Sequence, residues 1–390
     1  MTRSLVLTRS LLAATFVVVA CQEPTSVSPT LQPSGATASR AAAPAARSSG
    51  GLVRGWPTRT LTLPSSVPSA DRVFSETGPR AIDPDDYVCS EGSPVIDFLN
   101  AELNNTLTVE PALFFAMYNR FADYLPTNDS PFFQTTATPQ TFGYDGEFTH
   151  VMTKTERKVK GFWDIPSQDI QVLAMHGTML TDVEKTYRTY LLLGFPPQTA
   201  AEYAVAVRDA LLASTTMNGG NYAFWTFNSV SFRYPGVGQK IVMGDGIVEA
   251  YAAIGYADVA PQAIFAHEYA HQIQYEKDYF DDLGAVTQPE ATRYSELMAD
   301  AMAAYYLTHA RGEALNKFRV QQFLQVFFQI GDCAFDNDGH HGTPNQRMKA
   351  AQFGFTVADQ YLKQGHILTS QEFHDLFLAY YPTLIAPDAL

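Results

Sequence analysis

The chain has 390 residues, of which 46% are hydrophobic and 17% charged, enough apolar material for a sizeable buried core. Lys and Arg number 26 against 40 Asp and Glu, and the net charge of −14 repels phosphate backbones, so no nucleic-acid partner is expected. Three cysteines, Cys21, Cys89 and Cys333, are too few for a disulfide scaffold and form no C-x-x-C pair, so a bound metal must be held by histidine and carboxylate.

Arg3 and Arg9 precede an apolar run from Leu11 to Ala20, too short to cross a bilayer as a helix and placed like the core of a secretory signal. Val18-Val19-Ala20-Cys21 resembles the lipobox of bacterial lipoproteins. That resemblance implies removal of residues 1–20 and lipidation of Cys21, which would anchor the exported chain to the cell envelope. Gln22, where aspartate would signal retention, implies the outer membrane if the host has one. The alternative is an ordinary signal peptide cleaved after Ala20. Residues 21–84 comprise Cys21 and a segment rich in Ser, Pro, Ala, Thr and Gly, with no aromatic residue before Trp56. Such a composition predicts a disordered linker. If lipid consumes Cys21, Cys89 and Cys333 are left as a pair that could form a disulfide in an oxidising compartment. Two buried free thiols are the other reading.

Residues 85–390 read as one globular region, with an N-terminal part over 85–235 and a second part over 236–390. Val95 to Leu103 and Pro111 to Tyr124 have helical spacing, and Ala200 to Ser214 predicts an amphipathic helix capped by Thr199 with Glu202. SVSFRYP and QKIVM, separated by Gly236 and Gly238, predict an antiparallel hairpin. The remainder is mostly helical in pattern, with stops at Gly312, Gly331 and Gly365. Strands followed by a helical half predict an α+β fold with a small antiparallel sheet.

His267-Glu268-Tyr269-Ala270-His271 is the sharpest chemical signal. On a helix, positions i and i+4 share a face, so both imidazoles can reach one ion while Glu268 addresses a water on it. Glu296 follows 25 residues after His271, on a second helix that Thr287 and Glu290 would cap. Glu296 and Asp300 again share a face, among Ala299, Ala301, Ala303 and Ala304. Acidic pairs on helices usually form a solvated edge, but two acids among small and apolar neighbours call for a cation. A catalytic zinc takes two His and one Glu plus a water, which makes His267, His271 and Glu296 the expected ligands of a Zn2+ ion. Asp300 is then expected behind the ligands, accepting the free N–H of a ligand histidine.

HEYAHQIQ at 267–274, ELMADAMAAYY at 296–306, IGD at 330–332 and HGTPNQR at 341–347 resemble, in that order, motifs of the bacterial neutral zinc metallopeptidase family, and more loosely the wider gluzincins. The resemblance covers roughly residues 244–355. It implies a zincin-like metallopeptidase domain and a peptide or protein substrate. Glu268 is then the general base. His341, just before a helix, could be a catalytic donor to the charge that develops on the substrate carbonyl, a role that the resemblance itself does not assign. HGTPNQR has a purely local reading too, because Thr343, Pro344 and Gln346 form a helix-capping pattern. Arg347 could hold Asp332 or a substrate carboxylate, with ion pairing the simpler role, and Tyr294 and Tyr305 are weaker candidates for the donor role of His341. Gln239 to Met243 could be the strand edge along which a peptide lies. The expected function is thus that of a zinc metalloendopeptidase, exported and lipid-anchored. The competing expectation is a catalytically silent zinc-binding lipoprotein, acting as an envelope or surface binding module. Acidic runs at Asp278, Asp281 and Asp282 and at Asp336, Asn337 and Asp338 have the oxygen-rich character of calcium loops but lack a full ligand pattern.

Overall fold

The computed structural model describes residues 93–388, except 285, 333–334, 336–338 and 363–365. The signal and linker segments, Cys21, Cys89, Cys333 and the acidic run at 336–338 lie outside the described residues. The fold is α+β, mostly helical, with a small mixed three-stranded sheet.

The first helices are α1 (Pro94–Val109), α2 (Pro111–Tyr118), α3 (Tyr124–Phe133) and α4 (Thr149–Lys160), followed by strand β1 (Ile170–Met175). Two further helices, α5 (Val183–Leu192) and α6 (Pro197–Ala213), lead into the hairpin of β2 (Ser229–Tyr234) and β3 (Gly238–Gly244). Helix α6 starts two residues earlier than its Thr199 signal, because Pro197 occupies the first turn, where a missing N–H costs nothing. The hairpin is antiparallel, with Ser231 opposite Ile241. The sheet is nevertheless mixed and not antiparallel throughout, since β1 adds to the far side of β3 in parallel, with Val172 opposite Ile241. β3 is therefore the central strand and offers no free edge to a peptide, which corrects the expectation for Gln239 to Met243. Ile241, Val242 and Met243 are all buried, as a strand covered on both faces requires.

After the sheet come α7 (Asp245–Ala253), α8 (Ala260–Lys277), α9 (Gln288–Thr308), α10 (Lys317–Gln329), α11 (Pro344–Leu362) and α12 (Ser370–Leu384). Helix α8 is buried on every side from Ala263 to Gln274, so it is an internal helix, not an amphipathic surface one. Sheet and helix are joined by polar contacts: Ser231 Oγ donates to the Glu268 carbonyl at 2.6 Å, and Gln272 Nε2 donates to Ser231 Oγ at 2.9 Å and the Lys240 carbonyl at 3.0 Å. Helix α9 carries the full Thr287–Glu290 capping box and packs mainly on α8 and α11. Its small residues let α11 come close. A Cβ on Gly354 of α11 would meet the Ala301 carbonyl oxygen at 2.0 Å, so only glycine fits there.

One carboxylate pair, Glu249 on α7 and Glu147 just before α4, gives the fold a pH dependence unrelated to any metal. Glu249 is half-buried; burial, then the neighbouring Glu147 carboxyl, raise its pKa to about 7, while Glu147 is lowered. A raised folded pKa contributes stability fully present below the unfolded value and lost as pH rises through about 7. Glu249→Gln keeps the side-chain oxygen that accepts the Tyr144 N–H at 3.0 Å and cannot ionise. Its unfolding midpoint should match the wild type near pH 4.5 and exceed it at pH 8, by denaturant titration at both values. Equal midpoints at pH 8 would contradict the raised pKa of Glu249.

Candidate metal centre

Helix α8 aligns His267 and His271 on one face, and α9, crossing it, brings Glu296 to both. The two Nε2 atoms lie 3.1 Å apart. His267 Nε2 is 3.3 Å from Glu296 Oε2, and His271 Nε2 is 3.3 Å from Glu296 Oε1. Four ligands arranged tetrahedrally at about 2.0–2.1 Å around an ion stand roughly 3.3 Å from one another. The imidazole separation and the two nitrogen–carboxylate separations, which run to different Glu296 oxygens, are close to that spacing. All three residues are buried, and among the described residues they form the group able to hold a metal ion. Glu296 Oε2 has no hydrogen-bond partner. A buried acceptor left without a donor is what a cation would satisfy.

Each imidazole is held from behind. His267 Nδ1 lies 2.8 Å from Asp300 Oδ1, and His271 Nδ1 lies 2.8 Å from Gln274 Oε1. Asp300 is in turn gripped by Arg347, with Nε 2.7 Å from Oδ2 and Nη2 2.7 Å from Oδ1. Arg347 Nη2 also lies 3.6 Å from Glu296 Oε2. Arg347 is thus bound to the Asp300 carboxylate behind the ligands. Burial disfavours charge on His267, but the Asp300 and Glu296 carboxylates outweigh it and hold its pKa up at about 10. Burial also opposes ionisation of Glu296, and the nearby histidines more than compensate, keeping it well below the ordinary carboxylate range. The raised proton affinity of His267 marks where the positive charge of an ion would fall.

Glu268 is buried, and its Oε2 has no hydrogen-bond partner. Burial pushes its pKa up, against the pull of His267 and His271, so this carboxylate has a raised affinity for a proton.

His341 precedes α11, on the connection from α10. Asp332 accepts from the His341 backbone N–H at 2.8 Å, and its carboxylate lies 3.1 Å from His341 Nδ1 and 2.6 Å from His340 Nδ1. Both Nε2 atoms are left buried without a partner. His341 contributes less to the low pKa of Glu296 than His267 and His271 do. Gly342 has φ +103°, a backbone conformation only glycine adopts freely, and this lets the chain turn from His341 into the cap of α11. That cap forms as its pattern predicts: Thr343 N donates to Gln346 Oε1 at 3.1 Å, and Gln346 N to Thr343 Oγ1 at 3.2 Å.

Tyr294 and Tyr305 are engaged elsewhere. The Tyr294 hydroxyl donates to Asp282 at 2.9 Å, and Tyr305 packs against Trp163 and Phe373 while its oxygen accepts the Leu368 N–H at 2.9 Å. Asp282 also bonds His374 at 2.7 Å, so it is occupied by protein groups. Sequence patterns assign no role to Gln274 or His340, and Asp332 enters only as a possible partner of Arg347. A polar cavity of about 600 Å3 lies along the outer edge of β1, lined by Gln140, Glu156, Lys160 and Gln171 among others, and none of the expected site residues borders it. No family model, curated protein or solved structure matches this chain.

Proposed function

We propose that the chain is a zinc-dependent peptidase of zincin-like architecture, akin to the neutral zinc metallopeptidases, and that His267, His271 and Glu296 hold its metal. The observation that carries this reading is the buried convergence of two imidazole nitrogens and a carboxylate, with the unpartnered Glu268 oxygen on the same helix. Two histidines and one glutamate leave a tetrahedral ion a fourth position, the pattern of catalytic zinc; structural zinc sites are usually closed by four protein ligands. A structural site also has no use for a buried carboxylate oxygen left without a partner.

When bound, zinc lowers the pKa of a water and polarises a carbonyl. Glu268 then serves as the base: its Oε2 takes the proton of the attacking water and delivers it to the leaving amine nitrogen. The carbonyl oxygen gains negative charge as the water adds. His341, held by Asp332 through Nδ1 and its backbone N–H, presents Nε2 as the group to stabilise that oxygen. Asp300 and Arg347 keep His267 oriented from behind.

The reading requires about one zinc per chain, measured by metal analysis of the dialysed protein. His271→Ala and Glu296→Ala should each lose stoichiometric zinc. Full occupancy in Glu296→Ala would remove that residue from the ligand set.

We propose further that the protein is exported and tethered by lipid on Cys21, on the strength of the Val18-Val19-Ala20-Cys21 sequence after a short apolar run. Expressed in a bacterium, the wild type should enter the detergent phase and incorporate labelled palmitate, and Cys21→Ser should do neither. Recovery of unmodified wild type as soluble periplasmic protein would reject the tether.

A further inference from the structure

We infer that Gln274 is a positioning residue of the metal centre, setting the tautomer of His271 and linking it to the helix that carries Glu296; the inference rests on the zinc reading above. Gln274 is fully buried. Its Nε2 donates to the Ser295 carbonyl at 2.7 Å, and its Oε1 lies 2.8 Å from His271 Nδ1. A backbone carbonyl only accepts, so the amide must turn its NH2 toward Ser295 and its oxygen toward His271. That oxygen also only accepts. His271 therefore carries a proton on Nδ1, and its Nε2 faces His267 and Glu296, the side from which a metal is bound.

The two histidines are thus supported differently. His267 is backed by a carboxylate already neutralised by Arg347, whereas His271 is backed by an uncharged amide. A second carboxylate there would add negative charge to a buried cluster that already holds Glu268, Glu296 and Asp300. The amide orients the ring without that cost. Ser295 is the residue before Glu296, so one side chain fixes both a ligand on α8 and the backbone that presents the third ligand on α9. An amide that served only to fill the core would need neither bond to end on a metal ligand or its neighbour.

Two substitutions separate the two bonds. Gln274→Met is close in length and makes neither. Gln274→Glu can still accept from His271 Nδ1 but cannot donate to Ser295. Zinc affinity of the full chain is read by competition with a chromogenic chelator, and stability by denaturant unfolding of the metal-free forms. Gln274→Met should bind zinc roughly 10–100-fold more weakly, the loss typical of removing a ligand's supporting hydrogen bond. Gln274→Glu should recover most of that affinity while losing at least as much stability as Gln274→Met, because it adds a buried charge beside the Ser295 carbonyl. With Co2+ in place of zinc, the visible absorption of Gln274→Met should shift and that of Gln274→Glu should stay near the wild type. Wild-type affinity in Gln274→Met would overturn the role of Gln274 alone, as would equal losses of affinity in both variants. A wild type that takes up neither Zn2+ nor Co2+ would overturn the zinc reading, and this inference with it.

Discussion

Glu268→Gln should hold one zinc per chain, unfold no more easily than the wild type at neutral pH, and lose peptide hydrolysis by at least about 10²–10⁴-fold, the contribution of a positioned general base. Glutamine matches glutamate in size, and the Glu268 side chain lies outside the ligand set, so neither packing nor ligation changes. The carboxylate is buried, its pKa is raised by that burial, and Oε2 makes no hydrogen bond. Replacing it by a neutral amide removes a group that the fold pays to keep ionised, so stability above the ordinary carboxylate range should hold or rise. Only the ability to accept a proton is lost. Comparable hydrolysis by wild type and Glu268→Gln would remove Glu268 from the mechanism. A wild type that holds zinc yet cleaves nothing in a broad peptide library would favour a binding module, and a Glu268→Gln protein that retains partners would then identify what it binds.

Arg347→Met should be the most destabilising single change behind the site, at about 3–5 kcal/mol by denaturant titration of the metal-free protein, the usual cost of stripping one partner from a buried ion pair. Asp300 is fully buried, and Arg347 supplies two of the hydrogen bonds that satisfy its carboxylate. Without the guanidinium, Asp300 keeps a buried charge facing His267 and the Glu296 carboxylate. Arg347→Lys should recover only part of the loss, since an ammonium cannot reproduce two parallel N–H bonds to one carboxylate. Asp300→Asn combined with Arg347→Met should be less harmful than the sum of the two changes, because the charge that needed a partner is gone. Additive losses in that double variant would show that the pair is not coupled as its geometry implies.

Local signals in the sequence carried much of this centre. The His267–His271 spacing, the Thr287–Glu290 box and the Thr343–Gln346 box each depend on residues three or four apart, and each lies on the helix that it predicts. The placement of Glu296 against those histidines depends on two helices crossing, and only its small neighbours hinted at it. What went unread is mostly non-local. Strand β1 is a six-residue run within a mixed region, and its parallel pairing with β3, about seventy positions on, has no turn to announce it. That missing partner is why β3 looked like an edge. Asp332 reaches histidines eight and nine positions away, across a connection with no helical period to suggest the contact. Gln274 is the exception. It sits three residues after His271 on the same helix, the spacing at which side chains meet, and an amide there was a legible signal.

The central claim is that the buried His267, His271 and Glu296 cluster is the metal centre of a peptidase, and metal-dependent cleavage tests it most directly. The purified protein should be stripped with a chelator, dialysed, and assayed against a mixed peptide library by mass spectrometry before and after one equivalent of zinc is restored. New peptide termini should be absent from the stripped protein, return with zinc, and stay absent when zinc is given to Glu296→Ala. Cleavage that persists in the stripped protein, or that zinc restores equally to Glu296→Ala, would contradict the account.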